Sequence, residues 1–226
     1  MESVENLYNE GKLLVRAMNW PQLTKSANGL CYDCTVWADE FCLLMNDALT
    51  SVSSTLILPN VGVSTYKNIG FLINSDLADC FHIAKSDSGS CGNIIDGDFS
   101  ANEPDFETIA ELANHIKTNN DINMNEVNIN ATIDSVVGLF FNECLKQEKL
   151  LQMIYVVRKC LEKLTGITYP IYSYNRALGK LNKIELSPEL EDKIVESLEN
   201  IELFYWPEEY DEPVIDTIES GKGKKF

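Results

Sequence analysis

Apolar residues along this chain recur first at helical spacing and then, past Thr50, at the two-residue spacing of strands. Ser3 stands where a helix cap belongs, and Leu7, Leu14, Val15 and Met18 follow it, so the pattern predicts a helix ending before Trp20-Pro21. Asn28-Gly29 then breaks the chain. Leu30, Cys34, Trp37, Ala38, Phe41, Leu44, Met45 and Ala48 predict one amphipathic helix over residues 30–49. Residues 54–58, 69–74, 80–85 and 93–96 are short β-rich runs parted by Gly, Asn, Ser and Pro, and they read as a small antiparallel sheet.

After Phe99 the pattern changes. Pro104-Asp105 opens a helix carrying Phe106, Ile109, Ala113 and Ile116, and an Asn-rich connection follows over 118–130. A long apolar-periodic stretch fills 131–165, with Gly166 as its stop. Ser187-Pro188 supplies a cap and a first-turn proline for another helix, with Leu190, Ile194, Leu198 and Ile201 turned inward. The pattern therefore predicts an α+β protein with an α+β domain at 1–100 and a mainly helical region at 101–226 ending in an acidic tail.

Composition narrows the function classes. In 226 residues, 45% apolar content excludes general disorder, and the Ser- and Thr-rich run from Leu49 to Tyr66 is no membrane span. Met1-Glu2-Ser3-Val4-Glu5 lacks the basic start and apolar run of a secretory leader. Seven irregularly spaced cysteines favour reduced thiols and a cytoplasmic setting, with delivery into a host cell as the alternative. The net charge of −17 disfavours direct binding to nucleic acid or anionic membranes and favours a basic protein partner. Residues 185–219 hold 13 acidic residues against Lys193 alone, which makes Glu208, Glu209, Asp211 and Glu212 candidate partner-binding residues. The bland alternative is that the charge only keeps the protein in solution and that Phe204, Tyr205, Trp206 and Tyr210 wrap onto the domain.

The chemistry-bearing residues lie earlier. Cys31, in Asn28-Gly29-Leu30-Cys31-Tyr32-Asp33-Cys34, falls at the start of the predicted 30–49 helix, where orphan N–H groups and the dipole favour thiolate. His82 follows in the strand-like run Cys80-Phe81-His82-Ile83-Ala84, where alternation places Cys80, His82 and Ala84 on one face. Asp96, in Asn93-Ile94-Ile95-Asp96, can orient the imidazole on a neighbouring strand. The Cys31 N–H is an oxyanion donor, Trp20 or Gln22 can supply a second, and Gly29 lets substrate backbone approach.

Gly29-Leu30-Cys31-Tyr32-Asp33, followed by apolar residues at helical spacing, resembles the Gly-x-Cys-x-Asp helix of transglutaminase-like proteins. The resemblance covers roughly residues 20–100. It implies a papain-like core (a nucleophile helix on a small antiparallel sheet) and a peptidase, deamidase, acyltransferase or transamidating activity, with Cys31 as nucleophile, His82 as general base and acid, and Asp96 as orienter. Ile83-Ala84 stands where that superfamily commonly has Ala-Trp after its His, and no Asp-Pro-Thr follows the last strand. Other readings of the same residues are core packing of Cys31, Cys34 and Cys42, a zinc site drawing four ligands from Cys31, Cys34, Cys80, His82 and Cys91, and a Cys31–Cys34 redox pair. Two functions follow: a thiol hydrolase or acyltransferase acting on a protein amide bond without a cofactor, and a non-catalytic acidic interaction protein of the immunity, inhibitor or anti-defence kind. The second would bind a basic partner or mimic nucleic acid.

Overall fold

The computed structural model describes residues 3–19, 21–26, 29–33, 37, 40, 44–45, 49–65, 67–85, 104–119, 125–143, 147–197 and 201–205. Among them, helix α1 (Val4–Glu10) begins at Ser3, whose Oγ accepts the Asn6 N–H at 3.2 Å, so the expected cap is real. The helix stops far earlier than the pattern implied. Gly11 takes a left-handed conformation (φ 77°) and closes it, and Leu14, Val15 and Met18 belong instead to strand β1 (Leu13–Met18).

Strands β2 (Gln22–Ser26) and β3 (Gly29–Asp33) come next, so the continuous helix expected over 30–49 does not exist. Trp37, Glu40, Leu44 and Met45 are helical, but residues from Leu49 already form strand β4 (Leu49–Leu56), an earlier strand than the 54–58 run predicted. Strand β5 (Ile69–Asn74) has the predicted bounds and β6 (Asp79–Ala84) nearly so; residues 93–96 lie outside the described residues. Helix α2 (Ile109–Asn119), strand β7 (Glu126–Ala131), strand β8 (Val136–Asn142) and helix α3 (Gln147–Thr165) follow, with a single 3-10 turn at Ile133–Ser135 between β7 and β8. Strands β9 (Ile171–Asn175) and β10 (Lys180–Ile184), helix α4 (Pro188–Ser197) and strand β11 (Ile201–Tyr205) complete the set. Among the described residues, the half expected to be mostly helical thus holds five strands.

The protein is α+β, built on one eight-stranded, mostly antiparallel sheet in the order β10-β9-β8-β5-β1-β4-β7-β6. Among the described strands, β8–β9 is the one parallel pair within it, and α3 connects the two. Because β5 pairs with β8 and β4 with β7, the sheet runs across the boundary expected near residue 100. One face carries Leu14, Phe71, Leu139, Phe141 and Ile171 and packs on Leu112 and Ile116 of α2 and Leu150, Ile154 and Leu161 of α3. The other carries Leu13, Val15, Leu72, Phe140, Tyr172 and Tyr174 and packs on Val4, Leu7 and Tyr8 of α1. Covered on both faces, β5 and β8 have no polar side, so every residue of each is buried. A second, three-stranded sheet has the order β11-β3-β2, with β3 between a parallel and an antiparallel neighbour.

Candidate functional site

Cys31 lies in the middle strand of the three-stranded sheet, opposite Thr24 on β2 and Glu202 on β11. Backbone groups there pair along the strand ladder. The fan of orphan N–H groups at a helix N-terminus, which would hold a thiolate, is absent at this position. Gly29 starts the same strand and Gln22 starts β2, opposite Asp33. Trp20, Asp96, Glu208, Glu209, Asp211 and Glu212 lie outside the described residues.

The helical residues after Cys31 still do part of what their spacing promised. Trp37 is buried edge-on against Phe71 (5.0 Å between centroids, 63°), and its Nε1–H donates to the Asn19 carbonyl at 2.8 Å. Arg16, midway along β1, grips both carboxylate oxygens of Glu40 (2.7 and 3.2 Å) and donates to the Ser53 carbonyl at 3.0 Å. This forked pair fixes the segment to the sheet.

His82 sits on β6, at the rim of the large sheet, and is only 6% exposed. A register shift between Cys80 and His82 inserts Phe81 as an extra residue and resets the alternation. Cys80 therefore packs against the same core as Ile83, whereas His82 takes the opposite face beside its register partner Asn128. The expected sharing of one face by Cys80 and His82 does not occur, because two-residue alternation holds only for an unbulged strand. The Cys80 thiol is pushed up to about 11 by burial and by the Asp79 and Asp76 carboxylates, so it is protonated at neutral pH and a poor nucleophile. Among the described residues no three His, Cys, Asp or Glu side chains converge as metal ligands.

A concave surface flanks α2. Ahead of the helix, the Asp105 and Phe106 N–H groups both donate to the Ile83 carbonyl (2.9 and 3.2 Å), and an Asp105 oxygen accepts the Lys85 N–H at 3.0 Å, so the chain crosses the end of β6. Thr108 Oγ1 accepts the Glu111 N–H, while Glu111 Oε2 accepts the N–H groups of Glu107 (2.9 Å) and Thr108 (3.2 Å). This reciprocal capping box starts the helix four residues later than Pro104-Asp105 implied. Leu112, Ala113 and Ile116 turn inward, leaving Glu111, Asn114 and Thr118 outside, with His115 half-buried against the Phe106 ring (5.1 Å between centroids).

Outside α2 lies a groove of about 650 Å³ whose lining includes Asp105, Phe106, Glu107, Glu111 and His115. Glu107 also lines a second cavity of about 340 Å³, together with Glu10, Lys12, Asp76 and Cys80. Five carboxylates thus line two cavities that share Glu107. The lining holds one lysine, Lys12, whose amino group lies 3.0 Å from both Glu10 and Asp76. Its hydrogen bonds to those two carboxylates keep it an ammonium well above the ordinary lysine range. Sequence reasoning placed the functional charge in the tail; the signal at 105–111 was the run Asp105-Phe106-Glu107-Thr108 with Glu111 three residues on. No helix among the described residues is long and apolar enough to cross a membrane. No protein-family model matches the chain, and no curated protein matches it.

Proposed function

We propose that this chain is a non-catalytic acidic interaction protein, of the immunity, inhibitor or anti-defence kind, that binds a basic protein partner. The observation that carries this reading is the pair of cavities that share Glu107, whose combined lining holds five carboxylates and a single lysine, itself paired with Glu10 and Asp76. A chain charge of −17 adds a long-range field that steers a cationic surface toward it. The same field makes nucleic-acid mimicry the natural means of occupying a basic surface. We prefer this over thiol chemistry through Cys31, His82 and Asp96 in a papain- or transglutaminase-like core. The helix N-terminus that would have activated Cys31 is a strand, and His82 is buried, whereas a general base must reach its substrate.

The test is binding of lysine- and arginine-rich proteins at two ionic strengths. Between ~0.1 M and ~1 M salt the Debye length falls from about 10 Å to about 3 Å, and affinity should fall at least about tenfold. Cys31→Ser should bind as the parent does. Binding indifferent to salt would return the charge to solubility, and an amide-cleaving or acyl-transfer activity lost in Cys31→Ser would replace this reading with the thiol one.

A further inference from the structure

We propose that the groove outside α2 receives an arginine side chain from an extended segment of the basic partner, with the guanidinium over the Phe106 ring and paired to Glu107. This assignment rests on the basic-partner reading and deepens it. The groove has an aromatic wall, in which Phe106 is braced by the tilted His115 ring, and an acidic rim made by Asp105, Glu107 and Glu111. Its lining contains no Lys or Arg.

The three rim carboxylates are not equivalent. Asp105 is held by Lys85 (3.3 Å) and by the Lys85 N–H, and Glu111 by the helix cap. Glu107 is exposed and joins no ion pair among the described residues, so it offers its full charge to an incoming cation. A carboxylate beside an aromatic ring selects guanidinium over ammonium, because a planar, weakly hydrated fork can stack on the ring and bond the carboxylate together. Asn114 and Thr118, exposed along the same side of α2, can bond the backbone of an extended segment. The volume, about 650 Å³, suits a short piece of chain better than a globular face.

Titration of the 226-residue chain with an oligo-arginine peptide and with the oligo-lysine peptide of equal length tests this. The parent should bind oligo-arginine roughly threefold or more tightly than oligo-lysine, the scale of a cation–π contact at a half-exposed site. Glu107→Lys and, independently, Asn114→Lys should each weaken oligo-arginine binding about tenfold, since each sets a positive charge in the groove. Phe106→Leu, if its circular dichroism matches the parent's, should remove the arginine preference and keep the salt dependence. Should Phe106→Leu fail to fold, His115→Ala gives the same reading by freeing the ring. Equal binding of both peptides by the parent overturns the assignment. So does parent-like binding by both lysine variants while neutralising Glu208, Glu209, Asp211 and Glu212 abolishes binding, a result that leaves the basic-partner reading standing. Absence of binding to either peptide at ~0.1 M salt removes that reading together with the groove.

Discussion

The middle of the large sheet and its β6 rim are made from similar lengths of chain under opposite constraints. Strands β5 and β8 are sealed by α1 on one face and by α2 and α3 on the other, and nothing on them is left for chemistry. At the rim, β6 carries a bulge, an exposed Phe81, a buried His82 facing Asn128, and a thiol between two aspartates. Covering both faces turns strand geometry into an absolute demand on side-chain size. An edge tolerates irregularity, and irregularity is what lets the Asp105–Phe106 segment cross β6 and gather carboxylates from three distant stretches of chain.

That contrast can be broken most severely at Gly70. A Cβ there would lie 1.9 Å from the Arg16 carbonyl oxygen and 2.7 Å from the Phe140 ring, and neither neighbour has room to move. Gly70→Ala should cost about 3 kcal/mol in urea unfolding. A variant as stable as the parent would show the centre to be as forgiving as the rim.

A step outward, Asn125 acts as a surrogate strand residue at the entrance to β7. Its side chain accepts the Leu56 N–H at 2.8 Å and donates to the Leu56 carbonyl at 3.0 Å. Asn125→Ala leaves both buried backbone groups of Leu56 without these bonds and should cost about 2 kcal/mol. Amide exchange at Leu56 should quicken with it; unchanged protection there would contradict the account.

Farther along β7, where it pairs with the β6 rim, the sign should reverse. Asn128 is 1% exposed, yet neither polar atom of its amide has a hydrogen-bond partner among the described residues. Asn128→Leu keeps the shape and removes that burden, and should stabilise by about 1 kcal/mol, raising the urea midpoint without altering the slope. Destabilisation by that substitution would mean that the rim is packed under the same rules as the centre.

The parts of the fold legible in the sequence were those with local causes. Ser3 as a cap, the 69–74 strand, the stop at Gly166 and the Ser187-Pro188 start all stand. Failures came where one pattern ran into another. The apolar run through β8 is continuous because both faces are buried, so it merged with the periodicity of α3 into one apparent helix. In β7, Val127, Ile129 and Ala131 alternate cleanly, but Asn128 and Asn130 between them made the segment look like a connection. The second cavity was less visible still: Glu10, Asp76 and Glu107 become neighbours only through sheet order, which no local spacing encodes.

The parallel pairing of β11 with β3 also sets a schedule for the newborn chain. Strand β3 is complete at Asp33, but the strand that flanks it on one side begins at Ile201. At ~5–20 residues per second of synthesis, that edge waits roughly 10–30 s for its partner, with only β2 beside it. During that interval the small sheet is a two-stranded ribbon, marginal on its own in water, with an open edge available to any other strand. Residues 29–33 are therefore the stretch of the small sheet that stays half-paired longest during synthesis.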